Sequence, residues 1–328
     1  MTEPEVSVVI PTYNRRRQLE LTLAGLARQT YPRDLFETIV VSDGSTDDTD
    51  TYLTGDDVPL PVVPVTQTNA GPAAARNNGV SVARGRLIMF IDDDIVPAPE
   101  CIARHVARHD PLDDDRVVVG PMLDPPYHEM SPWIAWEQRM LYKQYDAMVA
   151  GRFEPSPRQF YTGNASIARR HVIAAGGFDT SFRRAEDIEL AYRLHDRGLK
   201  FVFDPQAVAH HYAERTFDSW RRIAYDYGRM NVIFGRDLGR SWILVAIGKE
   251  FGDRHVLARA LTLVCIPRER LHRAVNAALD VVVRVSARRG GNRITRFALS
   301  AIYSIEYHRG VADELGGPDQ FKAILQPR

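Results

Sequence analysis

The sequence predicts an α/β fold, a mainly parallel sheet flanked by helices, followed by a helical C-terminal region. Three observations carry this. Short apolar runs rich in β-branched residues recur along the first part of the chain and end in breakers or acids, as strands buried on both faces do. Segments with apolar residues at helical spacing lie between them, the alternation of a parallel sheet. After Tyr212 the strand-like runs stop and amphipathic stretches take over. The expected organisation is therefore an α/β domain over 1–212 and a helical extension over 213–328.

The elements follow in order. Val6 to Ile10 (VSVVI) is the first buried strand, closed by Pro11, and Leu19, Leu23 and Leu26 then recur at helical spacing. Thr38 to Val41 is a second strand running into SDGSTDDT, and Val62 to Val65 a short third. Pro72 suits the first turn of an alanine-rich helix that ends near Gly85. Leu87 to Ile91 (LIMFI) is a fourth strand ending directly in Asp92, Asp93 and Asp94. Pro97 is expected to begin a helix, and Val117 to Val119 a strand. A helix is expected from Ser131 to Val149 with Trp133 and Trp136 in its first turn. A strand is expected from Phe160 to Ile167, then helices from Arg169 to Ala175 and from Ala185 to Asp196, the second closed by Gly198. Phe201 to Phe203 and Ala207 to His211 read as short strands. Beyond Tyr212, amphipathic stretches cover 218–234, 254–264 and 270–288.

With 45% apolar and 26% charged residues, the chain has globular rather than disordered or membrane-spanning composition. Its formal charge is zero, yet residues 213–328 carry 20 Lys+Arg against 12 Asp+Glu, leaving 1–212 acidic. The basic part suits peripheral contact with a membrane surface, or simply a solvated helix face; no nucleic-acid partner is expected. Its apolar stripes are expected first to pack against the preceding domain or to form a homodimer face. The two cysteines, Cys101 and Cys265, are far apart and match no disulfide framework or zinc site, as in a reducing compartment. MTEPEVSVV lacks the basic and apolar runs of a signal peptide, and no run of about 18 apolar residues occurs. The expected location is cytoplasmic, with the membrane's inner face as a possible contact.

The chemistry concentrates at the strand ends, where open α/β sheets bind ligands. In an extended segment Asp92 and Asp94 can point together, and carboxylate oxygens suit Mg²⁺ or Mn²⁺ bridging substrate phosphates. Asp43 ends the second strand in an analogous place, while Ser45 and Thr46 before Asp47 and Asp48 form a helix-capping signature. Gly71 permits close backbone approach at a helix start, and Arg76 on that helix can reach a phosphate or brace the acids. Glu186 and Asp187 open a helix, where the dipole favours acids; Asp187 can also serve as a general base towards an acceptor hydroxyl, with Glu186 binding the acceptor or holding the loop. His210 and His211 close a strand, and adjacent strand residues cannot both face inward.

The ordered motifs VSVVIPTYNR, IVVSDGSTDDT, NAGPAAARNNG, LIMFIDDD, GNASIARR, GGFDTSFRRAEDIELAYRLHDRG and PQAVAHH span about residues 5–212. Together they resemble the family-2 glycosyltransferases of the GT-A, Rossmann-like nucleotide-diphospho-sugar fold. The resemblance implies an inverting transfer of a sugar from a UDP-, dTDP- or GDP-sugar donor to an acceptor hydroxyl. Cell-envelope polysaccharide, glycolipid or natural-product glycoside synthesis would use such a step. It implies that Pro11, Thr12, Tyr13 and Asn14 line the nucleoside pocket and that Asp43 contacts the base. Gly71 and Arg76 would support the diphosphate, Asp92 and Asp93 the donor, and Gly163 and Asn164 the donor sugar. Asp94 and His210 would hold Mn²⁺ or Mg²⁺, and Asp187 would be the catalytic base. Glu186, Trp133 and Trp136 would serve the acceptor, the tryptophans also by excluding water. One departure stands out: many members carry Glu after the Asn of the first motif, whereas this chain has Arg15, Arg16 and Arg17.

Two other readings fit a nucleotide-binding α/β sheet. A sugar nucleotidyltransferase would want a glycine-rich basic phosphate loop after the first strand, and here that strand ends in PTYN. A non-catalytic sugar- or nucleotide-binding module would have no use for Asp187.

Overall fold

The computed structural model describes residues 3–110, 114–126, 128–287 and 293–325. The chain divides into two compact units, Met1–His128 with Met140–Ala213, and Glu129–Arg139 with Glu214–Arg328.

The first unit holds strands β1 (Val6–Thr12), β2 (Phe36–Asp43), β3 (Val63–Gln67), β4 (Leu87–Phe90), β5 (Ile95–Pro97), β6 (Arg116–Val119), β7 (Met122–Leu123), β8 (Ala165–Ala168), β9 (Lys200–Phe203) and β10 (Ala209–His211). Helices α1 (Arg16–Ala27), α2 (Thr49–Leu53), α3 (Pro72–Val82), α4 (Cys101–Arg108), α6 (Arg169–Ala174) and α7 (Glu186–Asp196) accompany them; of α5 (Pro132–Val149), the residues from Met140 on belong to this unit and those up to Arg139 to the other. The main sheet has seven strands in the order β3-β2-β1-β4-β8-β6-β9. Its pairs are parallel except around β8, which runs antiparallel to both β4 and β6.

The uninterrupted apolar runs are explained by burial on both faces. Val8 and Ile10 pack with Leu19, Leu23 and Leu26 of α1 on one side. Val9 between them packs with Ala75 and Val80 of α3 on the other. Helix α3 lies close against the sheet because residue 79 is glycine: a Cβ there would stand 2.4 Å from Val9 Cγ1. The parallel strands β1, β2 and β4 thus end at one edge, where Thr12, Asp43 and Asp92 to Asp94 emerge.

Two expected boundaries shift. The strand expected from Phe160 begins at Ala165, because Asn164 folds into a turn that donates to the carbonyls of Pro121 and Ala207. The helix expected at Pro97 begins at Cys101, because β5 pairs antiparallel with β10 in a second sheet ordered β5-β10-β7. The last residue of the stretch expected over 270–288 lies outside the described residues.

The second unit is helical: α8 (Phe217–Arg236), α9 (Trp242–Gly252), α10 (Val256–Cys265), α11 (Glu269–Ala287), α12 (Arg293–Leu315) and α13 (Pro318–Leu325). Helix α12 is its core, with Leu299, Ile302, Ile305 and Val311 buried. Two glycines set its contact with α8. A Cβ on Gly228 would meet the Tyr307 carbonyl oxygen at 2.0 Å, and one on Gly310 would meet that of Tyr225 at 2.0 Å. Buried Glu306 on α12 accepts from Arg221 and Asn276 at 2.5 and 2.9 Å, so its charge is compensated. No described helix is long and apolar enough to cross a membrane.

Candidate active site

The loops after β1 and β2 are pinned to each other. Asn14 takes a left-handed backbone, φ 54°, which asparagine tolerates better than most residues. Its Oδ1 accepts from the amides of Thr46 and Asp47 at 2.6 and 3.2 Å, and its own amide donates to Ser45 Oγ. Tyr13 beside it keeps 48% of its surface exposed, a ring left uncovered at the strand edge. Asp43, buried at the end of β2, accepts from Gln67 Nε2 and from the amides of Ala70 and Gly71, each at 2.8 Å. It thereby folds the loop into α3, with Gly71 at φ 92°.

The three acids after β4 face different partners. Asp93 accepts from Thr12 Oγ1 at 2.8 Å and from Arg15 Nη1 at 3.0 Å. Burial pushes its carboxyl up to about 6, with Asp94 adding to this and Arg15 opposing it. Asp94 Oδ2 accepts from the same Arg15 Nη1 at 2.8 Å, and its Oδ1 lies 3.6 Å from His211 Nε2. Burial opposes its ionisation, but His211 and Arg15 outweigh that and hold it well below the usual carboxylate range. Asp92 is the more open, 37% exposed, and accepts from Arg76 Nη2 at 2.7 Å. Residue 163 must be small here: a Cβ on Gly163 would stand 3.4 Å from Asp92 Oδ2 and 2.7 Å from Met122 Sδ.

Arg76 is the link to the far motif. Its Nη1 donates to Glu186 Oε1 at 2.7 Å, and its guanidinium lies over the Phe178 ring, 5.6 Å from the centroid. Burial disfavours its charge, but Asp92 and Glu186 more than restore it. Helix α7 is entered through Ala185 at φ 59°, an unfavourable backbone for alanine of the kind found where a fold positions a functional group. Asp187 follows, half-buried, with its Oδ1 accepting from the Ile188 amide at 2.8 Å. Burial first and the neighbouring Glu186 second push its carboxyl up to about 7, against the pull of Arg76. Its carboxyl thereby titrates near neutrality.

Some predicted residues are engaged otherwise. His210 does not face Asp94; its Nδ1 lies 3.1 Å from the Asp124 carbonyl oxygen. The antiparallel register sets His211 opposite Ile95, next to Asp94, and strand alternation turns His210 away. Asn164 is 1% exposed, and its amide is committed to Pro121, Ala207 and His105, so it braces the sheet edge rather than presenting a polar group. Likewise three donors of its own chain already occupy Asp43. Trp136 packs edge-on against Trp220 and obliquely on Tyr303, buried in the second unit. Trp133 donates from its indole to the Arg215 carbonyl at 2.9 Å. Sequence reasoning missed Arg15 as a partner of the acids; its only signal was three arginines following a strand-end asparagine.

Among the described residues no group of three or more His, Cys, Asp or Glu side chains is placed to hold a metal ion. Two protein ligands suffice, however, for a divalent ion that also takes substrate phosphates. The 3.6 Å between Asp94 Oδ1 and His211 Nε2 exceeds hydrogen-bond length and approaches the spacing of neighbouring ligands about 2.1 Å from one ion. The pair fits Mn²⁺ or Mg²⁺.

The mainly parallel sheet flanked by helices, with buried acids at its carboxyl edge, is of the GT-A class of nucleotide-diphospho-sugar folds, and a helical C-terminal region follows it. The sequence profile described as "Glycosyl transferase family 2" matches residues 7–176, and the chain belongs to that family. It is 34% identical over 221 residues to validoxylamine A glucosyltransferase of Streptomyces hygroscopicus subsp. jinggangensis, covering 60% of this chain and 52% of that one. It is 28% identical over 239 residues to chondroitin synthase of Escherichia coli, covering 63% and 34%. The chain thus spans about half the length, or less, of these curated relatives. The fold is shared with a mannosyltransferase of Pyrobaculum calidifontis solved with GDP-Man and Mn²⁺, TM-score 0.60 at 22% identity over 92% of this chain and 86% of that one. Staphylococcus aureus TarS 1–349 with UDP gives a TM-score of 0.54 at 18% identity over 95% and 92%.

Proposed function

We propose that this chain is an inverting glycosyltransferase that moves a sugar from a nucleoside-diphosphate donor to an acceptor hydroxyl. The observation that carries the reading is Arg76, which joins Asp92 at the strand edge to Glu186 beside Asp187. One buried cation thereby links the acid read as donor-side to the helix start that carries the acid read as the base.

In this reading Asp187 takes the proton of the acceptor hydroxyl as that oxygen attacks the anomeric carbon. Glu186, held by Arg76, keeps the base's surroundings negative and its proton affinity high. Tyr13 offers an exposed ring to a nucleobase, and the loop that Asp43 clamps carries Gly71 and the start of α3 towards the donor. Asp92 contacts the donor sugar, while Asp94 and His211 would hold Mn²⁺ or Mg²⁺. When bound, that ion neutralises charge on the departing diphosphate. The Mn²⁺ and nucleotides present in the structural relatives support this choice of cofactor and donor class.

Peripheral contact with anionic lipid through the second unit is part of the same proposal. Val281 and Val285 of α11 and Val256 and Leu257 of α10 are more than half exposed, in a region carrying 20 Lys+Arg against 12 Asp+Glu. This arrangement suits a lipid-linked or envelope acceptor.

A thermal-shift screen of UDP, dTDP and GDP and their sugars, each with Mn²⁺, tests the function. One nucleotide is expected to stabilise the protein, because a ligand at about 100 times its Kd adds about 2.7 kcal/mol to the folded state. Acceptor-dependent release of that nucleoside diphosphate should follow. Binding without release under any acceptor would make the chain a binding module, and pyrophosphate release from sugar phosphate and nucleoside triphosphate would make it a nucleotidyltransferase.

A further inference from the structure

The acid pair assigned above to donor and metal is already occupied by a cation of the chain itself. Arg15 Nη1 bridges Asp93 Oδ1 at 3.0 Å and Asp94 Oδ2 at 2.8 Å. The partners are unequal in mobility. The two carboxyls are almost fully buried, at 8% and 10% side-chain exposure, while the arginine keeps 35%. Asp93 is fixed by Thr12 Oγ1, which donates to its carboxylate, and by Thr22 Oγ1, which donates to its backbone carbonyl; the Asp94 backbone carbonyl accepts from the Tyr212 amide at 2.9 Å. Arg15 sits at the start of α1 beside Asn14, whose side chain anchors the backbone there, so its long side chain is the part free to move.

It also has somewhere to go. Arg15 lines an open cleft of about 410 Å³ together with Asn14, Arg16, Arg17 and Asp48. In that cleft Arg16 is neutralised by Glu20 and Asp48. An anion entering there would meet Arg15 together with Arg17, whereas Arg16 is already paired with acids of its own.

A guanidinium and a divalent ion compete for one carboxylate, because both are cations within contact distance of the same oxygens. We infer that Arg15 is a displaceable counter-ion: it neutralises Asp93 and Asp94 while the site lacks nucleotide, and turns onto the diphosphate when a metal-bound nucleotide enters. The inference rests on the proposed function and adds a regulatory property to it. Metal binds weakly alone and well with nucleotide, since only the nucleotide supplies Arg15 with a replacement anion. The positive coupling is reciprocal.

Binding of Mn²⁺ alone, read from the electron paramagnetic resonance signal of the free ion, tests this without any turnover. Arg15→Gln is expected to bind Mn²⁺ at least about tenfold more tightly than the wild type, a modest share of what one like charge does at contact distance. Arg15→Lys, which retains the charge, is expected to stay near the wild type. Asp94→Asn is the control for the underlying reading; measured with UDP or GDP present, where the wild type binds Mn²⁺ well beyond what the nucleotide takes up without protein, it is expected to lose binding. If Asp94→Asn loses Mn²⁺ while Arg15→Gln gains nothing, the counter-ion role is overturned and the metal assignment stands. If Asp94→Asn binds as the wild type does, the metal assignment itself fails. Should Arg15→Gln not fold, Arg15→Met keeps the apolar stem and carries the same expectation.

Discussion

Arg76 and Asp187 show what a single side chain can decide here. Arg76 is 6% exposed and serves two carboxylates 16 and 110 positions away in sequence. Replacing it with Met leaves Glu186 buried without its counter-charge and removes one of Asp92's partners. Breaking such a buried pair costs about 3–5 kcal/mol, so Arg76→Met should show a much lower urea midpoint with an unchanged m-value. Asp187 makes a separate prediction, about pH. Its folded-state proton affinity is raised to about 7, so it is protonated, and inactive as a base, at lower pH. The acid limb of kcat/KM should lie near pH 7, and Asp187→Asn should lower turnover by about 10²–10⁴. The stability sign runs the other way. A raised carboxyl costs the fold stability as pH climbs from the ordinary range through 7. Asp187→Asn should therefore be at least as stable as the wild type at pH 8 and gain nothing at pH 4. A clear loss at pH 8 would show that the carboxylate is structural. The two histidines illustrate what residue-level reasoning cannot reach. HH at a strand end says that one faces in, but the register with Ile95 selects His211.

At the scale of elements, strands were easier to recognise than helices. Strands β1, β2 and β4 are buried on both faces, so their apolar runs are continuous and unmistakable. Helix α12 escaped for a related reason. It is buried along much of its length, with Ser304, Glu306 and His308 enclosed beside its apolar residues, and so shows no clean polar face. Its contact with α8 makes a sharp prediction. A methyl on Gly228 or Gly310 would stand 2.0 Å from a backbone carbonyl oxygen of the other helix. Backbone cannot yield as a side-chain tip can, so Gly228→Ala and Gly310→Ala should each destabilise the second unit by about 1–3 kcal/mol or more. Alanine's better helix propensity would offset less than about 1 kcal/mol. Chemical denaturation followed by tryptophan fluorescence checks this, and a stabilised Gly228→Ala would mean the helices are not in close contact. Within the first unit, the buried chain Asn164–His105–Ser166–His109–Asp114 ties α4 to β8 through contacts of 2.7–2.9 Å. No spacing rule announces such a network, because its members come from different elements.

For the whole molecule, the zero net charge conceals an acidic N-terminal part and a basic C-terminal one. If the second unit docks on anionic lipid, the protein should co-sediment with phosphatidylserine vesicles at low salt. It should detach by about 1 M salt, where the Debye length is about 3 Å. Absence of low-salt binding would remove lipid from the proposal, and a concentration-dependent doubling of mass would assign the exposed valines to a second copy instead. What the sequence determined by itself was the strands of the main sheet and the acids at the carboxyl edge of β2 and β4. These follow from period, β-branching and breakers, all local properties. The tertiary structure alone decided which groups those acids meet. Arg15 lies on Asp93 and Asp94, Arg76 spans to Glu186, Asp43 clamps the next loop and His211 replaces His210, because each pairing depends on sheet register and on contacts between segments distant in sequence. Local pattern fixes where a side chain emerges, but the charge and hydrogen-bond partner it meets there belong to another part of the chain, and only folding brings the two together.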